Sequence, residues 1–132
     1  MLYLDANFFI FALLDRTDRG VEARRLQQTI VKGQERAITS SLALDEVMWV
    51  LIKGKKRHLL RTAIEGIYST PNLDVVGVSS TAPLLALDFI EKYDLKPRDA
   101  LHTAIMRENE VETIISDDED FDRIQWIKRS GF

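Results

Sequence analysis

Met1-Leu-Tyr-Leu-Asp-Ala-Asn-Phe-Phe-Ile10 opens the chain with a short apolar run that ends on a carboxylate and a carboxamide. Residues 2–4 predict a short buried strand, and the apolar residues 8–14 predict the helix that follows it. In an open parallel sheet, ligands bind outside the carboxyl ends of the strands. The stretch therefore predicts a central strand that presents Asp5 to such a crevice. Taken alone, Asp5 or Asn7 could instead serve as the cap of the next helix.

Composition and length predict one domain over residues 1–132, since 45% of the residues are hydrophobic and can form a single core. The chain has no cysteine, which excludes disulfides, thiolate zinc sites and cysteine nucleophiles and is compatible with a reducing compartment. The longest apolar stretches, residues 8–14 and 47–52, are too short to span a bilayer, and the N-terminus lacks the basic region of a signal peptide. We therefore expect a cytoplasmic protein without a membrane partner.

The net charge of -3 argues against nucleic-acid binding through overall positive charge, so any such contact needs a local basic patch. The first candidate, the basic run, consists of Lys53, Lys55, Lys56, Arg57 and Arg61. A second, more diffuse set consists of Arg16, Arg19, Arg24 and Arg25. Either set could also be an ordinary solvated surface.

Apolar periodicity and turn residues divide the chain into alternating strands and helices. Strands are predicted at residues 2–4, 36–39, 73–78 and 111–115, with a short edge strand at 126–128. Helices are predicted at residues 8–14, 21–31, 42–53, 58–68, 83–93 and 97–107. This alternation predicts a three-layer α/β/α sandwich with a central parallel sheet of four to five strands.

The third predicted helix is apolar on almost every side, and we expect residues 47–52 to be deeply buried. It nevertheless carries Asp45 and Glu46 in its early turns. An ionised group in such a helix is unfavourable unless it is paired or bound to a metal. Periodicity does not choose between the two acids, because each shares a helical face with apolar residues.

Further carboxylates lie at element ends on the same side of the predicted sheet. Asp99 falls in the first turn of the helix that Pro97 begins, and Asp117, Asp118 and Asp120 follow the fourth strand. Each has a separate explanation, since Asp99 complements a helix dipole and acids are common in turns. Together with Asp5, however, they would repel one another unless a cation is bound. Carboxylate ligands without cysteine or a histidine pair favour Mg²⁺ or Mn²⁺.

These motifs, taken in order, resemble the PIN domain family. They are Asp5-x-Asn7 after a strand, Glu46 in an apolar helix behind a serine-rich segment, Pro97-x-Asp99-Ala-Leu-His-x-Ala104, and Ile115-Ser-x-Asp118-x-Asp120-Phe121. The resemblance spans the whole chain. The length is similar to that of minimal PIN proteins, which include the toxins of VapBC-type toxin-antitoxin modules.

The resemblance implies a metal-dependent endoribonuclease that uses one or two Mg²⁺ or Mn²⁺ ions to hydrolyse single-stranded or structured RNA. It implies an acidic quartet, catalytic and metal-binding, of Asp5, Glu46, Asp99 and Asp118, with Asn7, Ser116 and Asp120 as supporting residues. It also selects Glu46 over Asp45. His102 follows Asp99 by one turn, but a lone histidine beside alanines is typical of a packed residue, and we expect no catalytic role for it.

The resemblance also implies a homodimer and, for a toxin, a cognate antitoxin as partner. A housekeeping RNA-processing PIN nuclease is the alternative within the same family. A non-catalytic, Mg²⁺-binding signalling module of receiver type is the alternative outside it, but the expected further strand-end Asp and later Lys are missing. A haloacid-type phosphatase would require an aspartate at the position of Asn7.

Overall fold

The computed structural model describes all 132 residues and contains one sheet of five parallel strands. The strands are β1 (Leu2–Leu4), β2 (Ala37–Ser40), β3 (Leu73–Val76), β4 (Thr113–Ile115) and β5 (Lys128–Ser130). Their order across the sheet is β3-β2-β1-β4-β5, so the first strand lies in the centre between β2 and β4. The predicted parallel sheet and the predicted central position of the first strand are confirmed.

Six helices cover the two faces of this sheet. They are α1 (Ala6–Leu14), α2 (Asp18–Val31), α3 (Ser41–Lys53), α4 (Leu60–Tyr68), α5 (Ala82–Tyr93) and α6 (Pro97–Glu108). Two 3-10 turns lie at Arg57–Leu59 and Glu119–Arg123. Helices α1 to α4 share one apolar core and α5 and α6 share the other, which confirms the three-layer sandwich. No helix has both the length and the apolar character that crossing a bilayer requires.

Strand β1 is buried on both faces because its side chains alternate between the two cores. Tyr3 packs in the core formed with α5 and α6, and Leu4 packs in the core formed with α1 to α4. Both side chains are almost completely inaccessible. The period of two in a strand thus places one large side chain in each layer and fixes the strand between them.

The bounds of every strand except the first differ from the predicted bounds by one or two residues. The third strand ends at Val76, two residues before the predicted end, and Val78 is exposed. The edge strand lies at Lys128–Ser130 instead of residues 126–128, because Trp126 and Ile127 pack on the core from the preceding turn. The residues of β5 that pair with β4 are therefore polar, as is common in edge strands.

The prediction that residues 47–52 are deeply buried is wrong for most of them. Val47 and Leu51 are buried, whereas Met48, Val50 and Ile52 are exposed and Trp49 is 59% exposed. Helix α3 belongs to an outer layer and contacts α1 and α4, so only a narrow stripe along it faces the core. An apolar patch therefore remains on the surface of α3.

In the first turn of helix α2, Gly20 lies close to the backbone of Asp15. This close packing predicts that substitutions of Gly20 and of Gly66 differ strongly in their effect on stability. A Cβ at Gly20 would lie 2.0 Å from the carbonyl oxygen of Asp15, whereas one at Gly66 in α4 would meet nothing within 4 Å. We expect Gly20→Ala to lower the free energy of unfolding by about 1–3 kcal/mol. The matched control Gly66→Ala should leave it unchanged or raise it by up to about 1 kcal/mol. Urea denaturation checks both, and equal stability of the two variants would contradict the packing at Gly20.

Candidate active site

Asp5 both caps α1 and presents a carboxylate at the end of β1. Its Oδ1 accepts a hydrogen bond of 2.8 Å from the backbone N–H of Ala6. Its Oδ2 accepts bonds from the hydroxyl of Ser116 at 2.7 Å and from the amide of Asn7 at 3.3 Å. The capping role and the site role proposed from the sequence are therefore compatible, since one carboxylate has two oxygens.

Ser116 and Asn7 join the end of β1 to the end of the neighbouring strand β4. The Ser116 hydroxyl donates to Asp5 and accepts from the Asp118 backbone N–H at 3.0 Å and from the Asn7 amide at 3.2 Å. The side-chain oxygen of Asn7, Oδ1, accepts a hydrogen bond of 3.4 Å from the backbone N–H of Asp117. Ser116 is fully buried, and its hydroxyl hydrogen is used by Asp5. It is therefore fixed as a bridge between the strands and is not free to act as a nucleophile.

The acids after β4 do not all face the same way. Asp117 pairs with Arg19 at 3.2 Å. Asp118 caps the following 3-10 turn by accepting the backbone N–H of Asp120 at 2.9 Å. Carboxylate oxygens of Asp99, Asp118 and Asp120 lie within 4.8 Å of one another, and of these three Asp99 and Asp118 line the cleft beside Asp5.

Asp99 is the third residue of α6, as its distance from Pro97 predicted. Burial raises the pKa of its carboxyl from the usual 3.8 to about 6. The negative charge of Asp118 adds to this rise, and Asp5 and Asp120 add further, whereas His102 opposes it. The raised pKa of Asp99 therefore reflects its burial first and, in addition, repulsion by the neighbouring acids.

Glu46 faces the cleft from α3, while Asp45 is exposed to solvent. The carboxylate of Glu46 lies 2.5 Å from Nε2 of His102, and the same nitrogen lies 3.7 Å from Asp5. Burial lowers the pKa of His102, but the hydrogen bond to Glu46 and the charges of Asp5 and Glu46 outweigh it, so the pKa is raised.

The sequence interpretation of His102 as a packed residue was incomplete. Its side chain is 1% exposed, but it contacts two members of the acidic group. The spacing was the available signal, because residues three apart on a helix share a face, and His102 follows Asp99 by three.

The acids surround an open cleft of about 220 Å³ at the carboxyl end of β1. Its polar lining consists of Asp5, Asn7, Glu46, Asp99 and Asp118, and Ile10 and Val50 are among the apolar residues beside them. No lysine or arginine lines the cleft, and His102 is a titratable base in contact with two of its carboxylates, Asp5 and Glu46. A set of carboxylate oxygens whose negative charge is so little neutralised by nearby basic groups fits a hard divalent cation.

The basic run lies away from the cleft, at the far end of α3. Lys53 follows Glu46 by seven residues, or roughly 10 Å along the helix axis. All five members of the run are exposed, and among them Arg61 alone makes an ion pair, with Glu65 at 3.0 Å.

The second basic set is mostly occupied by contacts within the protein. Arg19 binds Asp117, Arg24 donates to the carbonyls of Ala12 and Asp15, and Arg25 pairs with Glu22. This set therefore offers fewer free cations than the basic run.

Sequence comparison places this geometry in a family. The family model of the PIN domain matches residues 2–127. The chain belongs to the PIN domain family. The matched region includes every acid of the cleft and the two residues, Asn7 and Ser116, that join the strand ends.

Individual relatives agree with the match along the whole chain. Ribonuclease VapC13 of Mycobacterium tuberculosis is 28% identical over 130 residues, which cover 98% of each chain. Among solved structures, VapC20 of the same species, described as a sarcin-ricin loop cleaving toxin, superposes with a TM-score of 0.77 at 19% identity, covering 96% of this chain and 97% of that one. VapBC2 of Rickettsia felis, bound to a DNA fragment from its promoter, gives a TM-score of 0.75 at 18% identity, covering 99% and 98%. These superpositions support the PIN fold.

The raised pKa of Asp99 predicts that metal-free protein loses stability as the pH rises. The pKa of Asp99 in the folded protein, about 6, exceeds the usual 3.8. The contribution of Asp99 to the free energy of unfolding is therefore fully present below pH 4 and is lost as the pH rises through 6. Asp99→Asn should therefore be more stable than wild type at pH 8 in EDTA and similar to it at pH 4. For this half-buried carboxyl, after discounting for solvent screening, the difference is on the order of 1 kcal/mol, or roughly 4 °C in Tm.

Thermal melting in EDTA from pH 4 to 8 measures this difference. The exposed Asp45→Asn serves as the control and should follow the wild-type profile. Mn²⁺ should raise the Tm of wild type in a saturable way, more at pH 8 than at pH 5, because the ion competes with the proton on Asp99. Identical profiles for wild type and Asp99→Asn would show that ionisation of Asp99 does not destabilise the folded protein and would contradict its raised pKa.

Proposed function

We propose that this chain is a metal-dependent endoribonuclease that hydrolyses phosphodiester bonds of single-stranded or structured RNA. The observation that carries the proposal is the convergence of Asp5, Glu46, Asp99 and Asp118 at the carboxyl end of β1 in a member of the PIN domain family. The name of the relative VapC13, a ribonuclease, supports RNA as the substrate. The oxygen donors of the cleft support Mg²⁺ or Mn²⁺, with one or two ions bound.

The side chains divide the work according to their contacts. Asp5 and Asp99 would hold a divalent cation most directly, and Asp118 would complete the ligand set, with Asp120 as a supporting carboxylate beside it. Such an ion would supply positive charge for the phosphate and lower the pKa of an attacking water.

Glu46 is placed to accept the proton of that water, because its carboxylate faces the cleft while its other contact is His102. Ser116 and Asn7 keep Asp5 in one orientation through their hydrogen bonds to its Oδ2. With the hydroxyl of Ser116 engaged in this way, water remains the nucleophile.

Asp5→Asn and Asp99→Asn should each reduce metal-dependent RNA cleavage by at least about a hundredfold, since each removes a ligand charge with little change in volume. Both variants should remain folded, as judged by thermal melting. The matched control is Asp122→Asn, which removes an exposed acid paired with Arg129 outside the cleft and should leave cleavage unchanged. The measurement is the cleavage rate of fluorescent RNA oligonucleotides with Mn²⁺. Activity within about tenfold of wild type, roughly 1.4 kcal/mol of barrier, would contradict the assignment of either ligand.

The basic run is proposed to bind phosphates that flank the scissile bond. An acidic cleft in a chain of net charge -3 repels RNA, so cations outside the metal site are needed to retain it. The exposure of Lys53, Lys55, Lys56 and Arg57 without ion pairs supports this role, and Arg61 completes the run beside them. Their position about two turns beyond Glu46 keeps them from competing with the metal.

Replacing Lys55, Lys56 and Arg57 by Ala should weaken RNA binding and flatten its salt dependence by about 0.7 in log-log slope for each lost contact to single-stranded RNA. The control replaces the exposed Lys32, Lys92 and Lys128, which changes the net charge by the same three units on other surfaces. Binding of an uncleavable RNA analogue is titrated at several salt concentrations. Equal slopes for the two triple variants would assign the effect to overall charge alone.

A homodimer is proposed from the exposed apolar patch of α3, Met48, Trp49, Val50 and Ile52. Sedimentation at micromolar concentration should give twice the chain mass of 15.2 kDa. Trp49→Glu should shift the protein towards monomer, whereas Leu84→Glu on the exposed surface of α5 should not. A monomeric wild type would contradict the dimer.

The toxin of a toxin-antitoxin pair is the biological role we propose, with a housekeeping RNA-processing nuclease as the alternative. The titles of two structural relatives, the toxin VapC20 and a toxin-antitoxin complex from Klebsiella pneumoniae, support the first. The discriminating experiment concerns an adjacent gene. A short neighbouring reading frame whose DNA-binding product stops RNA cleavage in vitro would support the toxin, and an adjacent product without effect would support the housekeeping enzyme.

A further inference from the structure

A buried chain of hydrogen bonds runs from the start of α3 through the central strand to the cleft. The Tyr3 hydroxyl lies 2.7 Å from Oγ of Ser40 and 2.6 Å from Nδ1 of His102, and Nε2 of His102 lies 2.5 Å from Oε1 of Glu46. Tyr3, Ser40 and His102 are each no more than 1% exposed. Four elements, β1, β2, α3 and α6, therefore meet in one polar network inside an otherwise apolar region.

The donors and acceptors of this network fix its direction. An ionised Glu46 only accepts, so Nε2 of His102 carries a hydrogen. In a neutral imidazole Nδ1 is then an acceptor, and the Tyr3 hydroxyl donates to it. The Ser40 hydroxyl is free to donate to Tyr3, because its oxygen already accepts the Ala43 backbone N–H at 3.1 Å as the cap of α3. In an imidazolium both nitrogens donate, and Nε2 still faces Glu46 with its hydrogen.

We propose that Tyr3 and His102 are positioning residues that hold Glu46 in its reactive orientation, and that His102 is a hydrogen-bond donor to Glu46 and not a metal ligand. This inference rests on the proposed ribonuclease function. Glu46 projects from the partly exposed helix α3, and its other carboxylate oxygen accepts no hydrogen bond from the protein. The bond from His102 thus fixes one oxygen and leaves the second directed at the cleft and its substrate.

The distances alone would also allow His102 to bind a metal, since Nε2 and oxygens of Asp5 and Glu46 lie within 4.8 Å of one another. Ligation, however, needs a lone pair on Nε2. If Nε2 carried no hydrogen, its lone pair would lie 2.5 Å from a carboxylate oxygen of Glu46, and the two would repel each other. The Tyr3 hydroxyl favours the tautomer that avoids this repulsion, and Tyr3, Ser40 and His102 are inaccessible to water that could replace it.

Nitrogen NMR tests the tautomer directly, because the chain has only two histidines and the second, His58, is exposed. In protein labelled with ¹⁵N-histidine, long-range ¹H–¹⁵N spectra separate protonated from unprotonated ring nitrogens, and His58→Gln assigns the signals. We expect Nε2 of His102 to be protonated both in EDTA and in saturating Mg²⁺. In Tyr3→Phe the Nε2 hydrogen should remain, because Glu46 still accepts it, whereas the Nδ1 resonance should shift because Nδ1 loses its hydrogen-bond partner. Loss of the Nε2 hydrogen on adding Mg²⁺ would make His102 a ligand and overturn the proposal, as would an unchanged Nδ1 resonance in Tyr3→Phe.

Kinetics of matched variants test the positioning role. Tyr3→Phe should lower kcat about fivefold, with KM and the Kd for Mn²⁺ each within about twofold of wild type, since one neutral hydrogen bond is lost away from substrate and metal. The control Tyr93→Phe removes a hydroxyl in α5 that makes no hydrogen bond within the protein and should have no effect.

Two substitutions of His102 separate positioning from ligation. The amide of His102→Gln reaches the position of Nε2 and can still donate to Glu46, whereas that of His102→Asn reaches only the position of Nδ1. We expect His102→Asn to lower kcat about 10–100-fold and His102→Gln to recover part of the loss.

Equal losses in the two His102 variants would overturn the proposal, and so would a Kd for Mn²⁺ raised more than about tenfold in both. Cleavage is measured on a pool of fluorescent single-stranded RNA oligonucleotides, and Mn²⁺ binding by calorimetry. If the wild type cleaves none of these RNAs, the proposed function fails, while the NMR spectra of the same wild-type protein still decide the role of His102. If the His102 variants do not fold, the wild-type spectra and Tyr3→Phe decide it.

Discussion

Repulsion among carboxylates that the backbone holds together is the constraint on which the rest of this site depends. Asp5 cannot move away from the group, because one of its oxygens caps α1 and the other accepts the Ser116 hydroxyl from the end of β4. The bonds that join the two strand ends therefore also fix the negative charge. Asp99 shows the consequence, since burial and its acidic neighbours raise its pKa to about 6. Such an arrangement opposes folding of the empty protein and favours the binding of a cation.

The strand order explains how one small sheet gathers acids from both of its layers. Strand β1 lies between β2 and β4, so the segments that leave these three strands meet at one edge. Helix α3 brings Glu46 from the layer of α1 to α4, and α6 brings Asp99 from the opposite layer. The cleft thus requires both layers to be packed on the sheet, and the burial of Tyr3 and Leu4 on opposite faces of β1 provides the anchor.

The parts of the site that follow from local chemistry were predictable from the sequence. A proline at the first position of α6 placed Asp99 in its first turn, which the structure shows. The assignment of Glu46 to the site did not follow from local chemistry. Helical periodicity did not distinguish it from Asp45, and only the family resemblance selected it. The structure places Glu46 at the cleft and leaves Asp45 in solvent.

The parts that failed depend on contacts between residues distant in the sequence. His102 looks like any packed histidine until Tyr3 and Glu46, 99 and 56 residues away in the sequence, are brought to its two nitrogens. The exposure of Trp49 was missed because an apolar run does not reveal that its helix packs on one side only. The edge strand β5 was displaced because its polar residues carry no apolar period.

The most direct measurement is an anomalous difference map from crystals of the wild-type protein soaked in Mn²⁺. We expect a peak within bonding distance of carboxylate oxygens of Asp5 and Asp99, with Asp118 beside it and Nε2 of His102 outside the coordination shell. A map with no peak in the cleft at saturating Mn²⁺, or with Mn²⁺ only on surface acids such as Asp122, would contradict it.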